Sequence, residues 1–240
     1  IRDRSVSRGL GDVYKRQLII GVFALVTQRG TEPPVEAQDV STDRSGSVIK
    51  QANVRLLALL TVAMGVIVGT VDIVSVAFAE QHGQPAAASL VLSAYAVGSC
   101  LAGLVFGALK LRTALHQLLL LGGLATAATT LPLLLVGSIP ALAAAVLIAG
   151  LFFAPTMIVA MSLIERLVPE HRLTEGMTWL LAGLNVGVAL GAAVSGHVVD
   201  SGGDRAGFTV ALCAGVLVLL VALWGYQRLR AHASSLPHVA

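Results

Sequence analysis

The sequence predicts an all-α fold, a polytopic membrane bundle of six transmembrane helices. Of the 240 residues, 56% are hydrophobic and only 12% charged, about half the ~25% usual in soluble domains. The mean hydropathy is +0.84. Six apolar runs of 20 to 26 residues follow one another, each long enough to cross a bilayer. A soluble fold of this size cannot bury so much apolar surface, so the composition excludes a soluble enzyme and a nucleic-acid-binding protein.

Residues 1–17 are set apart from the rest of the chain. They begin with Ile1, and the segment Asp12–Gln17 reads as the translation of a transposon-end adapter used in sequencing libraries. We therefore expect a non-native leader, genuine sequence from about Leu18, and a reading frame truncated at its N-terminus. A real basic tail is the alternative. Because this segment carries five basic and two acidic residues, it accounts for the whole net charge of +3.

Residues 18–26 and 27–53 precede the six runs. The first segment is apolar but too short to span a bilayer, so we interpret it as the end of a truncated transmembrane helix. The second contains Pro33, Pro34 and mixed charges, which predicts a polar linker.

The six runs form one predicted domain, residues 54–230, followed by a tail, residues 231–240. Every backbone amide in lipid needs a partner within its own segment, which predicts helices. Five runs lack Asp, Glu, Lys and Arg, and the first contains Asp72 alone. The runs are Leu56–Ala79, Ala86–Leu109, Leu115–Val136, Ile139–Ile164, Met177–Val199 and Gly207–Tyr226.

Basic residues in the connections predict the orientation. One side carries eight of them, and the other side carries only Arg205. Basic loops stay in the cytoplasm, so we expect a plasma-membrane protein with both ends cytoplasmic. The eight are Lys50, Arg55, Lys110, Arg112, Arg166, Arg172, Arg228 and Arg230. The segment 200–206 is then a short outer loop.

This order of segments, together with two local motifs, resembles the C-terminal half of a major facilitator superfamily transporter, helices 7 to 12. The first motif, Gly107–Thr113, is similar to the family's glycine- and arginine-containing cytoplasmic loop, although its acidic residue and second glycine are missing. The second consists of Pro155-Thr156, Glu165–Pro169 and Thr174–Trp179, and is similar to the helix 10–11 region of actinobacterial drug-efflux members.

The resemblance implies proton-coupled export of a small organic or drug-like molecule by alternating access of two six-helix halves. It implies lipid, protons, a small-molecule substrate and the missing N-terminal half of the same chain as partners. No cofactor, metal or nucleic acid is expected. The alternative is a complete six-helix protein acting as a homodimer or scaffold.

Two stripes of small residues repeat every four positions: Ser99, Gly103 and Gly107 in the second run, and Gly183, Gly187 and Gly191 in the fifth. Such stripes allow helix backbones to approach closely. They predict either packing within the bundle or, given the resemblance, a sliding surface against the missing half.

Asp72 is the strongest candidate site residue. A carboxylate near the bilayer centre costs about 2.5–3.5 kcal/mol on insertion scales, and it shares a small, polar face with Thr61, Gly65 and Gly69. We expect it to face a cavity and to bind a proton in competition with substrate, with Thr70 grouped beside it. A structural acid that bonds a neighbouring helix is the alternative.

Asn185 is the second candidate for substrate binding or proton coupling. It faces away from the glycine stripe on its helix, and an amide that bridges helices is the alternative interpretation.

Charged residues at the cytoplasmic ends predict gating ion pairs or simple topology signals; they are Lys110, Arg112, Glu165, Arg166, Arg172 and Glu175. Thr174 is predicted to cap the fifth helix. Catalysis is not expected, because the chain lacks H-E-x-x-H and G-x-S-x-G motifs.

Overall fold

In the computed structural model the described residues are 47–109 and 113–234. The adapter-like segment 1–17, the apolar segment 18–26 and most of the predicted linker lie outside them, as do Lys110 and Arg112. Within this part of the chain the regular structure is helical and contains no strand.

Six α-helices follow a short 3₁₀ turn, Val48–Lys50. All six predicted runs are confirmed as helices long and apolar enough to cross a membrane, within the described residues. The helices are α1 Ala52–Gln81, α2 Ala87–Ala108, α3 Leu115–Ala128, α4 Ile139–Leu167, α5 Leu173–Gly202 and α6 Asp204–Ser234.

Helix boundaries follow the local chemistry of the sequence. α4 begins behind Ser138, whose hydroxyl accepts a hydrogen bond from the Ala141 amide at 3.4 Å, and Pro140 sits in its first turn. α3 ends at Ala128, and Pro132 opens a separate 3₁₀ turn, Pro132–Leu135. The third predicted run is therefore an α-helix and a 3₁₀ turn, because proline cannot supply the amide that continued helix requires.

The outer loop predicted over residues 200–206 is almost entirely helical. α5 runs to Gly202 and α6 starts at Asp204, so only Gly203 separates the two helices. Gly203 has φ +80°, a conformation that favours glycine because side chains with a Cβ clash there. The glycine turn thus replaces a loop.

α1 occupies the centre of the bundle and contacts α2, α4, α5 and α6. α1 packs most extensively against α5, and α2 packs extensively against α4. α3 packs against α4 and α6. Most of the buried core is aliphatic, with Phe78 and Phe208 as its largest side chains. By contrast, most side chains of α2 and α5 are at least partly exposed.

Candidate functional site

Asp72 lies half-buried on α1. The hydrophobic core of α1 continues on both sides of it through Val71 and Val74, which are buried. Counted from the end of the helix at Gln81, its depth is about 14 Å at 1.5 Å per residue. Asp72 therefore lies inside the apolar run Leu56–Ala79, seven residues before its end.

Tyr95 of α2 is the functional candidate that sequence reasoning missed. Tyr95 belongs to α2, which contacts α1, the helix that carries Asp72. The Tyr95 ring also packs against Phe153 of α4, with centroids 6.0 Å apart. The signal was available, because tyrosine normally sits at membrane interfaces, whereas Tyr95 lies well inside α2.

Thr70 does not join Asp72, which corrects their predicted grouping. It is fully buried, and two residues of helix place it roughly 160° away around the axis. Ser75, three residues after Asp72, lies on the same side of α1 instead. The hydroxyls of both Thr70 and Ser75 are buried without a hydrogen-bond partner in the described part of the chain.

Asn185 lies on the exposed face of α5. Its side-chain amide donates to the Leu181 carbonyl one turn earlier, at 2.8 Å. Thr178 on the same face donates to the Thr174 carbonyl at 2.7 Å. These bonds stay within α5, so in the described chain Asn185 does not bridge helices. Its exposed position leaves the predicted role in substrate binding open.

The glycine stripe of α5 faces α1, which fits packing within the bundle, one of its two predicted roles. Gly183, Gly187 and Gly191 are all buried. A Cβ on Gly187 would collide with the Val62 carbonyl oxygen and lie 2.9 Å from the Gly65 Cα. The stripe therefore serves packing inside the bundle, which was the alternative interpretation.

The stripe on α2 divides into a packed part and an open part. Ser99 and Gly103 lie towards α4: the Ser99 amide is close to Gly150, and a Cβ on Gly103 would lie 3.5 Å from Ala154. Gly107 is exposed, with nothing within 4 Å of its Cβ position. Gly98 and Gly150 make the closest approaches: a Cβ on Gly98 would collide with the Leu147 carbonyl oxygen, and one on Gly150 with the Tyr95 carbonyl oxygen.

The charged residues predicted at the cytoplasmic end are only partly brought together. Glu165 and Arg166 are exposed at the end of α4. Arg172 and Glu175 form an ion pair at 3.1 Å. Glu175 also accepts hydrogen bonds from the Ser47 hydroxyl at 2.6 Å and the Val48 amide at 2.9 Å.

The start of α5 is built differently from the prediction. The helix begins at Leu173 with no side-chain capping bond, so Thr174 is not its cap. Nearby, Arg228 of α6 donates to the Asn53 side chain of α1 at 2.9 Å. The starts of α1 and α5 and the end of α6 therefore meet at one end of the bundle, with the charged groups around them.

Among the described residues, no group of three His, Cys, Asp or Glu side chains is placed to hold a metal ion. The sequence model of the Major Facilitator Superfamily matches residues 56–238, which include α1 from its fifth residue and the whole of α2 to α6. No curated protein matches the chain.

Proposed function

The chain belongs to the Major Facilitator Superfamily, a family of membrane secondary transporters, and on this premise we propose that it serves proton-coupled export of a small organic or drug-like molecule. The export works by alternating access. Residues 18–240 then belong to the C-terminal half of a transporter, and the partner half precedes residue 18. The end of the bundle that holds Ser47 and Arg228 faces the cytoplasm, in keeping with the basic connections.

The observation that carries this proposal is the half-buried carboxylate of Asp72 in an otherwise uncharged set of spans. An ionised carboxylate at this depth costs about 2.5–3.5 kcal/mol, and proton binding removes that cost. A substrate with a positive or hydrogen-bonding group removes it as well. Proton and substrate then compete for one site, which is what exchange of one for the other requires.

Tyr95 and Ser75 complete the proposed site around Asp72. In the proposed site, Tyr95 supplies from the neighbouring helix α2 a phenol that can donate a hydrogen bond to a carboxylate. The buried hydroxyl of Ser75 has no hydrogen-bond partner in the described chain and lies on the same side of α1 as Asp72. The three groups come from the two helices α1 and α2, so relative movement of these helices would change how strongly Asp72 holds its proton.

The partner half is proposed to cover the exposed faces of α2 and α5. On α5 this face carries Asn185 and Thr178, and on α2 it carries Gly107. The side chains of Asn185 and Thr178 donate their hydrogen bonds to carbonyls of α5 itself. This face therefore offers few strong hydrogen bonds to a neighbouring helix. A surface of this kind suits helices that must slide past each other.

The test uses the complete reading frame, recovered by sequencing the source DNA upstream of the Leu18 codon. In an efflux-deficient host, outward transport of a panel of lipophilic dyes is measured with and without a pH gradient. We expect Asp72→Asn to abolish the gradient-driven component while membrane insertion stays unchanged.

Glu80→Gln is the matched control, because Glu80 is an exposed acid near the end of the same helix, and it should transport normally. Undiminished gradient-driven efflux in Asp72→Asn would overturn the assignment of the proton site. A start codon close to Leu18, with no spans upstream, would overturn the half-transporter proposal in favour of a self-associating six-helix protein.

A further inference from the structure

The segment Ser47–Lys50 enters α1 under tight restraint from α5. One carboxylate oxygen of Glu175 accepts both the Ser47 hydroxyl, at 2.6 Å, and the Val48 amide, at 2.9 Å. The other carboxylate oxygen is paired with Arg172 at 3.1 Å. Both oxygens are therefore engaged, and hydrogen bonds to an ionised acceptor are about twice as strong as neutral ones.

Apolar anchoring adds to these polar bonds. Val48 is only 1% exposed and belongs to the main hydrophobic core, and Ile49 packs against the same core. Burial of the Val48 side chain removes apolar surface from water, which stabilises the docked segment. The segment is thus seated by burial and held in register by Glu175.

Consecutive backbone hydrogen bonds hold the connection from this segment into α1. The Lys50 amide donates to the Ser47 carbonyl at 2.9 Å, and the Gln51 amide donates to the Val48 carbonyl at 3.0 Å. The Arg55 amide of α1 then donates to the Gln51 carbonyl at 3.0 Å. A displacement of Ser47 is consequently passed on to the first turn of α1.

Further along, α1 and α5 are locked together by backbone contact. A Cβ on Gly183 would lie 2.7 Å from the Thr61 hydroxyl oxygen, and one on Gly187 would lie 2.9 Å from the Gly65 Cα. The two helices therefore touch at their centres through glycines and at their starts through Glu175. Contact at two separate points restricts the relative orientation of α1 and α5 more than contact at one point would.

We propose that Glu175 docks the segment before α1 onto the start of α5. Its contacts with Ser47, Val48 and Arg172 are called the clasp below. Through this clasp a pull on the chain ahead of Ser47 moves α1 and α5 as one unit. The inference goes beyond the proposed function: the docking needs no transport, and only its use in alternating access depends on the two-half architecture.

The first experiment measures docking in the 240-residue chain in detergent micelles. Trypsin cleavage after Lys50, identified by mass spectrometry, requires the 3₁₀ turn to open. We expect Glu175→Ala to raise this cleavage rate about tenfold or more, because two bonds to a charged acceptor are lost. Glu175→Gln, which keeps an acceptor oxygen but not the charge, should give a smaller rise.

Glu170→Gln is the matched control, since Glu170 is an exposed acid in the turn just before α5, and its cleavage rate should equal that of the wild type. If Glu175→Ala does not fold, Ser47→Ala serves in its place, because it deletes one donor outside the membrane helices. We expect a rise of a few-fold there. A wild-type cleavage rate in the folded Glu175→Ala or Ser47→Ala chain would overturn the clasp.

The second experiment measures rigidity by spin labels on Lys50→Cys and Thr174→Cys, both at exposed positions. The intact clasp predicts one narrow distance distribution between the labels. Adding Glu175→Ala should broaden it, while Asp72→Asn should leave it unchanged. A distribution that is equally broad with and without Glu175 would contradict the proposed coupling of the two helix starts, whatever the outcome of the transport assays.

Discussion

Replacement of Gly187 by alanine should separate α5 from α1. The new Cβ would lie 2.9 Å from the Gly65 Cα, whereas ordinary contact begins at 3.4 Å, so the backbones must part by at least 0.5 Å. The Val62 carbonyl oxygen is closer still and is fixed in the α1 backbone. Neither neighbour is a flexible side chain that could turn away.

The expected cost follows from this geometry. Overpacking of a well-packed interior costs about 1–3 kcal/mol, and a gap of ~0.5 Å forfeits about a quarter of the dispersion well at each contact it opens. We place Gly187→Ala near the upper end, about 3 kcal/mol. The better helix propensity of alanine returns up to about 1 kcal/mol, which leaves a net loss of about 2 kcal/mol.

The assay is the free energy of unfolding in mixed micelles titrated with a denaturing detergent. Gly196→Ala is the matched control on α5, because its Cβ would meet only the Ile73 side chain at 4.0 Å. Gly107→Ala tests the open position on α2, where nothing lies within 4 Å. Both should be neutral or slightly stabilising. If Gly187→Ala unfolds no more easily than these two, backbone contact at Gly187 does not hold the helices together.

Two further substitutions test polar contacts between helices. Thr156→Val removes a hydroxyl that bonds Phe152 of its own helix at 2.8 Å and Thr126 of α3 at 3.2 Å; we expect a loss of about 0.6 kcal/mol in the same unfolding assay, and a gain in stability would refute this role. Asn53→Ala removes the acceptor of the Arg228 bond; amide exchange should quicken at the end of α6 but not in α3, and equal exchange throughout would contradict the contact.

The fold was predictable because lipid restricts the possible structures. Uncharged runs of membrane-spanning length leave a helix as the only backbone conformation that satisfies its own amides. The bounds erred where local chemistry intervened. Pro132 ended the α-helical part of the third run, and Gly203 reduced an expected loop to a single residue. Both effects depend on the conformation of one residue, which hydropathy does not measure.

The candidate site was less predictable, because helix faces are assigned by neighbours that the sequence does not identify. Asp72 is predictable from its charge within an apolar run and from the small, polar face that it shares with Thr61, Gly65 and Gly69. The sequence does not identify the helix that packs on the glycine stripe, since Gly187 could contact either α1 or the other half of a transporter. In the structure it contacts α1. The packing of Tyr95 against Phe153 and the hydrogen bond between Ser47 and Glu175 each join residues that are far apart in sequence. Nothing local in either segment encodes these pairings.

The central claim is that Asp72 exchanges a proton for substrate. It is tested most directly by recording proton and dye movement together in liposomes that contain the complete transporter. The account predicts that an imposed pH gradient drives dye accumulation, that added dye moves protons in the opposite direction, and that Asp72→Asn shows neither effect. Dye transport without any proton movement, or unchanged proton exchange in Asp72→Asn, would contradict it.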